Sequence, residues 1–113
     1  MSQQITREEI KQLLDTGEPV TIVEALPEKY FKHSHLPGAL NMPHDRTREL
    51  APTLLPQKDA LIVVYCANEA CQNSTIAAQE LTALGYGNVR EYAGGKQDWV
   101  DAGFPVETRR SAA

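Results

Sequence analysis

The chain has 113 residues, 42% of them hydrophobic, which suffices for one core burying roughly two-thirds of the unfolded surface and is too short for two ordinary domains. Its formal charge of -4, from 15 acidic and 11 basic residues, leaves no basic stripe to neutralise phosphates, so nucleic acid is not expected as a partner and an acidic small molecule would need local help. No apolar run approaches the ~20 residues of a membrane span, and the opening "MSQQITREEI" lacks the plan of a signal peptide, so the expectation is a cytoplasmic protein with no membrane partner.

In chain order, Thr6-Arg7-Glu8-Glu9 forms a capping box ahead of the apolar stripe Ile10, Leu13 and Leu14, which predicts a helix from about Arg7 to Asp15 with Gly17 as its stop. "PVTIVEA" is a β-branched run of the length of a buried strand. "PEKYFKHSHLPGALNMP" begins with a short helical turn, bends at Pro37 and Gly38, and offers a short strand around Ala39 to Asn41. "HDRTRELAPTLLP" predicts a brief surface helix ended near Pro52. "ALIVVYC" is apolar without alternation, as a strand covered on both faces should be. "STIAAQELTAL" reads as a helix capped by Ser74 and stopped by Gly85. "NVREY" is a short strand, Gly94-Gly95 a turn, and "KQDWVDAG" a terminal helix with Trp99 in the core. "ETRRSAA" reads as a frayed tail, which sets the domain at 5–107 and leaves 108–113 flexible. The alternation of strands and helices favours an α/β fold, a parallel sheet with helices on both faces.

The chain's only two cysteines, Cys66 and Cys71, both fall between the "ALIVVYC" strand and the helix that follows. Two are too few for a disulfide scaffold, and in a reducing compartment a close pair is more often reactive or metal-binding. Ligands of parallel sheets bind beyond the carboxyl ends of strands, where Cys66 stands. A loop running into a helix N-terminus presents N–H groups and a helix dipole that favour a thiolate, the nucleophilic form of cysteine.

"VVYC" at a strand end, Ser74 opening "STIAAQELTALGYGNV", then "YAGGKQDWVDAGFPVE", with "HSHLPGALNMP" upstream, resemble the single-domain rhodaneses, which move sulfane sulfur through a cysteine persulfide. The likeness covers nearly all of residues 5 to 107. It implies a five-stranded, mainly parallel sheet between helices and Cys66 at the place of the catalytic cysteine; no cofactor is expected.

The loop differs from the family's common pattern. Cys66 and Ser74 stand eight positions apart, Cys71 occupies the place where an arginine often stands, and the loop residues Ala67, Asn68, Glu69, Ala70, Gln72 and Asn73 include no base. Upstream, Glu24-Ala25-Leu26 replaces the frequent Asp-x-Arg, which removes an expected ion pair. Cys71 reads equally as a resolving thiol, which attacks a Cys66 persulfide and leaves a disulfide that a thioredoxin-like reductant reopens, and as a packed loop residue. Asn68, Gln72, Asn73 and Ser74 are loop and cap residues that could also orient an acceptor. His33 and His35 share no ligand spacing with the cysteines, so no metal site is assigned.

Three function classes follow. The first is a sulfurtransferase with a small-molecule or protein sulfur donor and a thiophilic acceptor. The second is a binding or regulatory module without turnover. The third, a phosphatase or arsenate reductase, requires an arginine clamp that this loop lacks.

Overall fold

The computed structural model describes residues 3–108. Five strands, β1 (Gln3–Gln4), β2 (Thr21–Glu24), β3 (Leu40–Asn41), β4 (Ile62–Tyr65) and β5 (Val89–Tyr92), form one sheet in the order β1-β5-β4-β2-β3. Every pairing is parallel, so each connection crosses a face of the sheet, and helices cover both faces. These are α1 (Arg7–Thr16), α2 (Glu28–His33), α3 (Thr47–Leu54), α4 (Asn73–Ala83) and α5 (Gly95–Asp101).

β4 is central and wholly buried, and its alternate residues feed two cores. Ile62 and Val64 join Ala51, Leu55, Ala77, Ala78 and Leu81 beneath α3 and α4. Val63 and Tyr65 join Ile10, Phe31, Tyr92 and Trp99 on the opposite face, beneath α1, α2 and α5. Full burial of each branched side chain contributes about 1.5–3 kcal/mol, which is why an unbroken apolar run becomes the middle strand. Cys66 follows Tyr65, so the same alternation turns its side chain to the α4 face.

Local signals act as their chemistry requires. Thr6 and Glu9 form a reciprocal capping box, and Gly17 ends α1 in the left-handed region at φ 72°. Two expectations change. Helix α3 runs through Pro52 to Leu54, because buried Ala51 and Leu55 anchor both sides of the proline and the Tyr86 hydroxyl donates to their carbonyls at 3.2 and 2.6 Å. Glu107, expected to begin the frayed tail, exchanges backbone hydrogen bonds with His35 at 2.8 and 2.9 Å, and its carboxylate accepts from the Gly38 N–H. Residues 109–113 of the expected tail lie outside the described residues. Strand β1 had no sequence signal, since Gln3 and Gln4 are exposed polar residues that pair only along the backbone of β5.

Candidate active site

Cys66 leaves the carboxyl end of β4 one residue beyond the level where Glu24, Tyr65 and Tyr92 stand in register. The loop start is held by the first turn of α5, which begins at Gly95, a residue expected to belong to the preceding turn. The backbone N–H groups of Lys96 and Gln97 donate to the carbonyls of Cys66 and Ala67 at 2.8 and 2.9 Å. Gly95 has φ 71°, and a Cβ built there would lie 2.6 Å from the Cys66 carbonyl oxygen and 2.8 Å from the Asn68 nitrogen. Glycine is therefore required twice over, for conformation and for room.

Cys66 and Cys71 are joined in a disulfide with Cα atoms 6.4 Å apart, within the ordinary range for such a bond. The loop reaches this arrangement through Asn68, whose side-chain oxygen accepts from the Ala70 N–H at 3.0 Å and whose carbonyl accepts from the Cys71 N–H at 3.1 Å. The Ala70 and Cys71 amides, two of the N–H groups expected to cradle negative charge, are thus engaged within the loop. The Cys66 sulfur faces the carbonyl oxygens of Cys71 at 3.4 Å and Asn68 at 4.0 Å, and the Ser74 hydroxyl at 3.6 Å. Glu69, Ala70 and Gln72 are exposed, while Ala67 and Asn73 are half-buried.

Ser74 is not the cap of α4. Gln72 holds that position without a side-chain cap bond, and Ser74 lies buried in the first turn, where its hydroxyl donates to Glu91 Oε2 at 3.0 Å. Thr75 donates to the same oxygen at 2.5 Å. Glu91 is buried on β5, opposite Val64, and shares its α4-facing side.

On the other face, Glu24 is fully buried. It accepts a hydrogen bond from the Tyr65 hydroxyl at 2.6 Å and pairs with Lys96, whose Nζ also donates to the Tyr30 carbonyl at 3.1 Å. Burial pushes the Glu24 carboxyl above its ordinary range, against the lowering effects of the Tyr65 hydrogen bond and Lys96. Burial, with Glu24 beside it, also raises the Tyr65 hydroxyl, which stays neutral.

His33 is exposed. His35 is buried, stacked on Phe31 with ring centroids 3.9 Å apart, and its Nδ1–H donates to the Phe31 carbonyl at 2.8 Å. Among the described residues, no cluster of His, Cys, Asp and Glu is arranged to hold a metal ion. No helix among them is long and apolar enough to cross a membrane.

The pattern of the rhodanese-like domain matches residues 6–102. The chain belongs to the rhodanese-like domain family. This rhodanese-like domain is 33% identical over 112 residues to thiosulfate sulfurtransferase 18 of Arabidopsis thaliana, a match spanning 87% of the chain and 78% of that protein. It is 31% identical over 103 residues to the HTH-type transcriptional regulator Rv0324 of Mycobacterium tuberculosis, covering 91% of the chain but only 44% of that regulator. The chain therefore spans less than half the length of that relative. Among solved structures, the BH2092 protein of Bacillus halodurans superposes with a TM-score of 0.87 at 27% identity, covering 95% of this chain and 77% of that one.

Three site features of this rhodanese-like domain escape sequence reading. Glu91 stands in "NVREY" with nothing to mark it as facing Ser74. Lys96 supplies the ion pair that Glu24-Ala25-Leu26 was expected to lack, from a helix far along the chain. Gly95 reads as a turn residue, whereas its decisive property is close approach to the Cys66 loop.

Proposed function

We propose that this rhodanese-like domain is a sulfurtransferase that carries sulfane sulfur on Cys66. The observation that carries the reading is the position of Cys66, at the carboxyl end of the central strand with a second cysteine inside bonding distance. In the reduced form, the Cys66 thiolate attacks the outer sulfur of a donor persulfide, forming a Cys66 persulfide and releasing the donor thiolate. An acceptor thiolate then attacks the outer sulfur, takes it as a new persulfide and restores the Cys66 thiolate.

Cys71 adds a second exit. When no acceptor arrives, the Cys71 thiolate attacks the inner sulfur of the persulfide, the outer sulfur leaves as hydrosulfide, and the Cys66–Cys71 disulfide remains. A dithiol reductant of the thioredoxin type reopens it, giving up two electrons and becoming a disulfide itself. Donor and acceptor are a small-molecule or protein thiol pair, and the setting is a reducing one such as the cytoplasm.

The carbonyl-lined sulfur and base-free loop favour a second reading, a sulfur- or redox-responsive binding module without turnover. Intact-mass measurement of the reduced protein after exposure to glutathione persulfide separates the two. The sulfurtransferase gains one sulfur, loses it to an added thiol, and does neither as Cys66→Ser; a wild-type protein that takes up no sulfur refutes the catalytic reading.

A further inference from the structure

We propose that Glu91 is a positioning residue that controls the protonation of Cys66 through Ser74. The inference rests on Cys66 being the nucleophile. Ser74 has a single hydroxyl proton and stands between two acceptors, Glu91 Oε2 at 3.0 Å and the Cys66 sulfur at 3.6 Å. Glu91 holds the proton in this arrangement. Thr75 donates to the same oxygen, and the Gln4 side-chain amide lies 3.5 Å from the other, so the carboxylate is fixed at 7% exposure.

With its proton committed, Ser74 offers only a lone pair to the sulfur. Once the disulfide is reduced, that lone pair can accept from the Cys66 S–H but cannot stabilise the thiolate. The carbonyls of Asn68 and Cys71 act in the same sense, being acceptors as well. Glu91 thus keeps the resting cysteine protonated, and release of the Ser74 proton from Glu91 switches Ser74 from acceptor to donor toward the sulfur.

The other charged groups at this end of the sheet do not take over that role. Lys96 of α5 is engaged by Glu24 of β2 and the Tyr30 carbonyl, on the opposite face. Glu69 is an exposed anion in the loop, and Arg90, next to Glu91, lines a groove with Glu9 and Glu18 at α1. Tyr92 donates to Asp98, whose other oxygen pairs with Arg7.

The test is the pH dependence of iodoacetamide alkylation at Cys66 in the reduced protein, followed by peptide mapping, a readout independent of sulfur transfer. E91Q is expected to lower the alkylation midpoint and to speed alkylation at pH 7 by roughly three- to tenfold, the rise in thiolate for a midpoint lowered by about half to one unit. Glu91→Asp, which keeps the charge but withdraws the carboxylate from Ser74, is expected to shift the midpoint in the same direction and serves if E91Q does not fold. In a Ser74→Ala background, E91Q should have no further effect. An unchanged or raised midpoint in the Glu91 variants, or an equal shift with and without Ser74, overturns the proposal. Failure of the persulfide mass assay would instead count against the sulfurtransferase reading and leave these midpoints standing.

Discussion

Lys96 Nζ lies 3.1 Å from Glu24 Oε1, so that a cation at the start of α5 closes over a fully buried carboxylate at the end of β2. The pair ties the helix behind the Cys66 loop to the centre of the sheet. Its removal from one side leaves a buried charge without compensation, so Lys96→Met is expected to cost roughly 3 kcal/mol at pH 7. Burial already holds the Glu24 carboxyl above its ordinary value. The folded state therefore binds that proton more tightly than the unfolded chain, and stability falls as pH rises through the window above the unfolded value. Without Lys96 the window extends upward, and the penalty should shrink as pH is lowered to 5. Urea unfolding at both pH values checks this; an equal loss at each would show that Lys96 contributes packing alone.

Cys71→Ser should lengthen the life of the Cys66 persulfide, because the internal attack that expels hydrosulfide is lost. In the wild type, unreceived sulfur should decay to the Cys66–Cys71 disulfide, seen by peptide mapping without reduction. A Cys71 that stays a free thiol throughout, with an unchanged persulfide lifetime in its serine variant, leaves it a packing residue.

Donor choice follows from charge. The loop carries Glu69 and no Lys, Arg or His, and the amides of Ala70 and Cys71 are held by Asn68. A dianion approaching the Cys66 thiolate meets Glu69 and no cationic side chain of the loop, so thiosulfate should be a poorer donor than glutathione persulfide by at least about tenfold in kcat/KM. Glu69→Lys should narrow that gap. Steady-state rates with both donors decide it, and a preference for thiosulfate in the wild type contradicts the electrostatic argument.

Gly95→Ala is expected to destabilise the fold by more than about 2 kcal/mol, since it combines left-handed backbone with a Cβ 2.6 Å from the Cys66 carbonyl oxygen. Gly103→Ala is the control. It shares a positive φ, 79°, but its Cβ would meet nothing within 4 Å, so it should cost only the backbone strain of about 1 kcal/mol. Thermal unfolding of the two variants compares them, and similar losses would mean that the clash is relieved by movement of the loop.

Elements whose causes are local or collective are legible in the amino-acid order. The Thr6–Glu9 capping box starts α1, Gly17 ends it, and "ALIVVYC" becomes the central strand because an unbroken apolar run is stable only where both faces are covered. Strand-end placement then singles out Cys66, and the order of motifs identifies the family. The long-range partners are not legible there, because they depend on how the strands are ordered. Ser74, expected as a helix cap, instead donates its hydroxyl to Glu91, 17 residues away on β5. The missing Asp-x-Arg pair is supplied by Lys96, 72 residues beyond Glu24. Helix α3 passes Pro52 because Ala51 and Leu55 bury their side chains beside Tyr86, a gain that outweighs one lost backbone hydrogen bond. Hydrogen bonds and ion pairs between distant residues follow from which face of which strand they share, and that is set only when the sheet order β1-β5-β4-β2-β3 brings the strand ends together.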